Sequence, residues 1–239
     1  MRPLVIVPTY NERGNLAPLT DALLRIAHLS VLIVDDDSPD GTGQEADRIA
    51  AGSAGRLSVL HRSGRRGLGL SYLDGMRMAL ASDATHICQM DADLSHDPAD
   101  IPRLLAAVTD ADLAIGSRYV PGGAVRNWPR RRKALSAGAN WYVRTVTGVR
   151  IHDCTSGFRC WRRELLVRLP LDRIVSDGYA FLVELAWEAS AVGGRIVEVP
   201  ITFVERREGA SKMSGRVIAE SALLPWRLRA RGAQGAVRV

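Results

Sequence analysis

The chain has 239 residues, 46% of them hydrophobic, which is enough for one substantial core. Its formal net charge is +6, and all but Lys133 and Lys212 of its 32 basic residues are arginine. No apolar run approaches the ~20 residues that span a bilayer, and MRPLVIVPTYNE turns polar too soon for a secretory leader. Cys88, Cys154 and Cys160 lack metal-ligand spacing, so reduced thiols in a cytosolic protein are expected. A basic balance suits nucleic acid, anionic lipid or a phosphorylated substrate and does not choose among them.

The first half alternates strand and helix signals. LVIVPT reads as a strand, and Leu16, Leu19, Leu23, Leu24 and Ala27 mark one face of a following helix. VLIVDDDSPDGT repeats the format of strand then polar loop, with a helix through Ile49 behind it. RLSVLHR, the helix GLSYLDGMRMAL, the strand HICQM, a helix near 98–108 and the strand DLAIGS complete the series. Continuous apolar strands alternating with helices predict an α/β fold, Rossmann-like, with a mostly parallel sheet flanked by helices. Such sheets bind ligands beyond the carboxyl ends of their strands.

The second half is less regular. YVPGGAVRNWPRRRK is a Gly/Pro-broken basic loop, and RKALSAGANWYVRTVTG reads as a helix stopped at Gly148. VRIHDCTSGFRCW reads as a loop, followed by a helix near 178–191 and two short strands, RIVEVP and ITFVE. After RREGASKMSG comes a helical segment with Leu223, Leu224 and Trp226. One domain over 1–225 is expected, with a loose basic tail over 226–239.

Three acidic or aromatic strand ends fall on the same sheet edge. Asp91-Ala92-Asp93 follows a strand, and hard divalent cations favour such carboxylates together with substrate phosphates. A plain polar turn accounts for the pair equally well, and Asp97 reads as the cap of the helix starting at Pro98. Asp35, Asp36 and Asp37 repel one another, so a mere turn rarely selects them; Asp36 can accept hydrogen bonds from a nucleobase edge. In VPTYNE, Pro8 stiffens the exit, Tyr10 offers a flat face to a base or ribose, and Glu12 an acceptor. Arg118 in GSRY, Arg206 in FVERREG and Lys212 in GASKMSG supply cations after strands, suited to a departing diphosphate. Arg130, Arg131 and Arg132 read as a surface charge run, and the five histidines as ordinary. No nucleophile elbow, HExxH or P-loop is present.

In order, VPTYNERGNL, VDDDSPDGT, GLGLSYLDGM, MDADLSHDP, GSRY, SGFR, DGYAF, EVPITFVER and GASKM resemble the dolichol- or polyprenol-phosphate mannose synthases. These are inverting family-2 glycosyltransferases of GT-A fold, and the resemblance spans roughly residues 3 to 215. It implies transfer of mannose from GDP-mannose to a polyprenyl phosphate, with Mg²⁺ or Mn²⁺ as cofactor. Pro8, Tyr10, Glu12, Val34 and Asp36 would then bind the guanosine side, and Asp91 and Ala92 would line the nucleotide. Asp93 would hold the metal on the diphosphate, with Asp91 and Ser95 beside it. Arg118, Arg206 and Lys212 would contact the diphosphate or the acceptor phosphate, and Asp153 is an acceptor-site candidate.

Two positions depart from the family pattern: Ser95 stands where some relatives have Gln, and Leu182 stands where many have Gln. Many members also carry C-terminal membrane spans, which this sequence lacks. Trp128 and Trp141 with the neighbouring basic cluster imply a peripheral protein on the cytoplasmic membrane surface, held by anionic lipid or a membrane-protein partner. The rival enzyme is a family-2 transferase using UDP-glucose or another sugar nucleotide. A basic nucleic-acid-binding module explains neither the acidic strand ends nor the motif order, so no nucleic acid is expected.

Overall fold

The computed structural model describes residues 1–205 and 215–236. Strands and helices alternate through β1 (Pro3–Thr9), α1 (Arg13–Leu24), β2 (Ser30–Asp35), α2 (Thr42–Ala51), β3 (Leu57–His61), α3 (Leu68–Ala81) and β4 (His86–Gln89). A 3₁₀ turn at Pro98–Asp100 leads into α4 (Ile101–Ala107) and β5 (Leu113–Ser117). Then come β6 (Ala124–Arg126), α5 (Arg130–Thr147), β7 (Arg159–Arg162) and α6 (Arg163–Arg168). A second 3₁₀ turn, Leu171–Arg173, precedes α7 (Gly178–Ala191), β8 (Ile196–Pro200), β9 (Thr202–Val204) and α8 (Gly215–Ala236).

Seven strands form one sheet in the order β3-β2-β1-β4-β7-β5-β8, and β6 pairs with β9 in a small second sheet. All neighbours in the large sheet are parallel except β7, which runs antiparallel between β4 and β5. The mostly parallel α/β fold is therefore as expected, but the segment read as a loop around 149–161 contains β7. CTSGFRCW is rich in turn residues and has no β-branched run, so local propensity hides the strand. Pairing on both sides creates it: Cys88 faces Cys160, and Ala114 faces Cys160 from the other edge.

Both faces of the sheet are covered, which is why its strands are continuously apolar. Along β1, Ile6 packs toward Tyr72, Met76, Trp161 and Phe181, whereas Val5 and Val7 pack toward Leu16, Leu19, Leu104 and Phe158. The Trp161 indole donates to Gln89 Oε1 at 2.7 Å, so its one polar atom is satisfied inside the core. Gly148 ends α5 in the left-handed region (φ 77°), and its N–H donates to Arg144 O at 2.9 Å.

The C-terminal segment differs from expectation. Instead of a loose tail from 226, α8 continues to Ala236, and Leu224 and Leu228, one turn apart, are buried in the core that also holds α7. Arg231 lies one turn further on and donates to Glu184 Oε1 at 2.7 Å. Glu184 is fully buried on α7 and its other oxygen accepts from Ser176 N at 3.3 Å. Replacing Arg231 by alanine strips a buried carboxylate of its partner, which costs about 1–3 kcal/mol. Thermal melts should show that loss for Arg231→Ala, and adding Glu184→Gln should recover part of it.

Candidate active site

A cleft of about 450 Å³ opens beyond the carboxyl ends of β1, β4 and β5. Of the residues singled out from the sequence, Pro8, Tyr10, Glu12, Asp36, Asp91, Ala92, Asp93, Ser95 and Arg118 line it. Val34 does not; it is fully buried in the core beneath, because successive strand residues face opposite sides and Asp35 and Asp36 follow it out. Asp153 sits behind Arg118 with no exposed surface. Arg206 and Lys212 lie outside the described residues.

One wall is built on β1, β2 and the start of α3. Asp36 pairs with Arg62 and also accepts from Gly67 N at 2.8 Å, so its carboxylate holds the wall together while lining the cleft. Asp35 accepts from Thr9 Oγ1 and Ser38 Oγ at 3.2 and 2.6 Å and knits the turn. The repulsion expected among Asp35, Asp36 and Asp37 is thus relieved by separate donors, Arg66 taking Asp37 at 2.8 Å. Arg66 also lies 4.9 Å over the Tyr10 ring and donates to its hydroxyl at 3.0 Å. Asp177 Oδ1 caps α7 through Gly178 N at 2.7 Å and pins α3 through Gly69 N at 2.8 Å. Gly69 has to be glycine, since a Cβ there would stand 2.8 Å from the Ser176 carbonyl oxygen.

The centre is the turn after β4. Tyr72 donates its hydroxyl to Asp91 Oδ1 at 3.0 Å, and burial pushes that phenol's pKa well up, so it remains a donor. Asp93 Oδ1 accepts from Ser95 N at 3.1 Å across Leu94, whose φ of 59° places a branched non-glycine residue in the left-handed region. That strain is of a size, about 1–2 kcal/mol, that persists where the surroundings impose it, as at ligand sites. Asp97 caps the following turn through Ala99 N at 2.9 Å, as expected. Beneath lies Arg159, fully buried, bonding Ser156 O and Cys154 O at 2.8 Å each. Burial lowers its pKa to about 10, which leaves it charged near neutrality.

The far wall carries Arg118. Its Nε and Nη2 grip both Asp153 oxygens at 2.7 Å, and Nη2 also reaches Thr155 Oγ1 at 2.8 Å. Burial opposes its charge, but the Asp153 bonds outweigh that and raise its pKa. Glu198 in turn accepts from His152 N and Asp153 N at 2.8 and 2.9 Å, fixing the loop. His96, read as ordinary from sequence, is buried against Phe158 (4.9 Å between ring centroids) and edge-on to Phe203 (5.3 Å). Burial lowers its pKa, so the imidazole is neutral near pH 7. Trp128 likewise lines the cleft, flanked by the guanidiniums of Arg118 and Arg132 at 5.6 and 4.1 Å. Arg132, read as surface charge, lines the cleft too and pairs with Glu205 at 2.5 Å.

Among the described residues no three His, Cys, Asp or Glu side chains gather to hold a metal alone. The donor set nevertheless fits a hard cation completed by a ligand's phosphates: two carboxylates, and a Ser95 hydroxyl that is buried, lines the cleft and has no hydrogen-bond partner among the described residues.

A family model described as Glycosyl transferase family 2 matches residues 4–169. The chain belongs to that family. The polyprenol monophosphomannose synthase of Mycolicibacterium smegmatis is 49% identical over 246 aligned residues, covering 99% of this chain and 92% of that protein. The undecaprenyl-phosphate mannosyltransferase of Micrococcus luteus is 48% identical over 235, covering 97% and 96%. Among solved structures, a mannosyltransferase from Pyrobaculum calidifontis in complex with GDP-Man and Mn²⁺ superposes with a TM-score of 0.59. It is 18% identical and the match covers 100% of this chain and 76% of that one. The α/β arrangement is that of the GT-A glycosyltransferases.

The buried Arg118–Asp153 pair makes a sharp test, since its side chains are 5% and 0% exposed. Arg118→Ala should cost about 3–5 kcal/mol in urea unfolding, because it leaves an uncompensated buried charge. Adding Asp153→Asn should return most of that loss.

Proposed function

We propose that this glycosyltransferase moves mannose from GDP-mannose to a polyprenyl phosphate, with inversion, giving polyprenyl β-phosphomannose and GDP. The carrying observation is what lines one cleft: Tyr10, Asp36 and Gly67 beyond β1 and β2, the Asp91–Asp93 turn after β4, and Arg118 after β5. The end-to-end likeness to polyprenol-phosphate mannose synthases supports this donor and acceptor over UDP-glucose.

Tyr10 and Glu12 would meet the guanosine, and Asp91 and Ala92 the inner nucleotide. Asp93, with Asp91 and Ser95, would hold Mg²⁺ or Mn²⁺ against the diphosphate, where the cation offsets charge growing on the leaving group. A phosphate monoester is already anionic at pH 7, its second pKa being about 6. The acceptor therefore needs alignment more than a strong general base, and Arg118 is placed to give it. Arg206 and Lys212 would add cations to the diphosphate or acceptor phosphate. Asp153 acts through Arg118, fixing its guanidinium, rather than by touching the acceptor.

Purified protein with labelled GDP-mannose, polyprenyl phosphate and Mg²⁺ or Mn²⁺ should move label into the organic phase, and UDP-glucose should not substitute. Asp93→Ala should lower kcat/KM by at least 100-fold with the melting curve unchanged; near-normal turnover would remove Asp93 from the metal site.

The acceptor implies a lipid surface, and we infer peripheral attachment at the cytoplasmic face, directly or through a membrane-protein partner. No helix among the described residues is long and apolar enough to cross a membrane. Leu135 and Trp141 on α5 and Leu223 and Trp226 on α8 are exposed, and the Tyr142 hydroxyl bonding Ala222 O at 2.7 Å joins the two helices. Arg130, Arg131 and Lys133 stand exposed beside them, the composition of a headgroup-layer contact. Trp128, which the sequence pattern grouped with Trp141, belongs to the cleft instead. The protein should co-sediment with anionic vesicles more than with neutral ones, and Trp141→Ser with Trp226→Ser should cut that binding several-fold.

A further inference from the structure

Two polar atoms in the far wall are buried and have no hydrogen-bond partner among the described residues: Trp128 Nε1 and His96 Nδ1. Both residues line the cleft, and both touch Phe203, whose ring lies 5.4 Å from Trp128 and 5.3 Å from His96. Arg118 completes the group, its guanidinium 5.4 Å from the same Phe203 ring. A buried polar group left unsatisfied costs about 1–3 kcal/mol, so two in one wall point to a ligand that satisfies them.

The chemistry of that ligand follows from the donors. An indole N–H only donates, so it requires an acceptor atom. Arg118 is neutralised by Asp153, and its bonds use Nε and Nη2, leaving Nη1 outside them. Arg132 beside Trp128 is likewise paired, with Glu205. The subsite therefore presents directional N–H groups with little net charge, a set that reads a compact oxygen-rich group by geometry.

Position separates the two phosphates of the reaction. The nucleotide wall stands on β1 and β2 and the acidic turn on β4, whereas Trp128, His96, Phe203 and Arg118 sit on the β5 side of that turn. A donor lying from β2 to β4 has its diphosphate at the acidic turn and leaves the β5 side for the second substrate. Trp128 also lies just before α5, the helix that carries the exposed Trp141 and basic residues, so the subsite and the surface assigned to lipid are joined by one element.

We propose that the Trp128 indole N–H and the His96 imidazole, with Arg118 Nη1, receive the phosphate oxygens of the lipid acceptor. This rests on the reaction assigned above and names the residues that bind its acceptor.

The test uses Trp128→Phe, which keeps a ring between the two guanidiniums and deletes the N–H, and His96→Phe, which keeps the stack and deletes the nitrogens. With GDP-mannose and a short-chain, water-soluble polyprenyl phosphate, each variant should raise the acceptor KM about 5- to 30-fold and shift the GDP-mannose KM less than twofold. Inorganic phosphate, as a competitor of the acceptor, should lose potency by a similar factor in Trp128→Phe. Acceptor KM values within twofold of wild type, or an equal rise in the donor KM, would overturn the assignment. Calorimetric binding of the same lipid phosphate separates this failure from that of the reaction itself. If wild type binds the lipid phosphate and Trp128→Phe does not, the subsite stands even where no mannose moves. If both proteins bind it equally, the subsite falls whatever the turnover.

Discussion

The cleft depends on one pairing, the antiparallel β7 inserted between β4 and β5. Adjacent strands lie about 4.8 Å apart. One inserted strand therefore sets the exits of β4 and β5 about 10 Å from each other. The first exit carries the Asp91–Asp93 turn and the second carries Arg118. Because β7 runs the opposite way, its start rather than its end lies at that edge. Residues 153–158 thus form the floor between the two exits, and supply Asp153 and Thr155 to Arg118 as well as Gly157 beneath Asp91. A parallel strand in the same place would have delivered a different loop.

Around that floor, charge is arranged in pairs before any ligand arrives. Arg62 holds Asp36, Arg66 holds Asp37, Arg118 holds Asp153 and Arg132 holds Glu205. The arginine surplus of the sequence is therefore not a free positive funnel at this site. Inside a low-dielectric cleft, paired guanidiniums are fixed in direction, and fixed donors stabilise developing charge without reorganising. Other carboxylates tie distant segments together, since Asp177 joins α7 to α3 and Glu184 on α7 holds Arg231 on α8.

The strained and crowded positions fall at the same place. Leu94 is left-handed within the acidic turn, and Gly69 tolerates no side chain where α3 meets Ser176. Both are local concessions that aim backbone and carboxylates at one volume, and neighbouring hydrogen bonds from Ser95 N and Gly69 N hold them there.

The layered α/β architecture is legible along the chain, because continuous apolar strands and helical periodicity are local patterns. So is the edge of the sheet where chemistry gathers, because carboxylates and Tyr10 follow strand ends in order. What each of those groups faces is set by contacts between segments far apart in the chain. Asp36 lines the cleft but is also held by Arg62 and Gly67, and Asp153, read as an acceptor-site candidate, is buried behind Arg118. In sequence His96 and Arg132 look ordinary and Trp128 groups with Trp141 and the basic cluster, because neighbours along the chain do not show what a side chain meets. The three meet across strands β4, β7 and β9 and the start of α5, where His96 and Trp128 have polar atoms without partners among the described residues. Strand β7 stayed hidden for the same reason: its hydrogen bonds come from partners more than forty residues away, and non-local pairing outweighs weak local propensity.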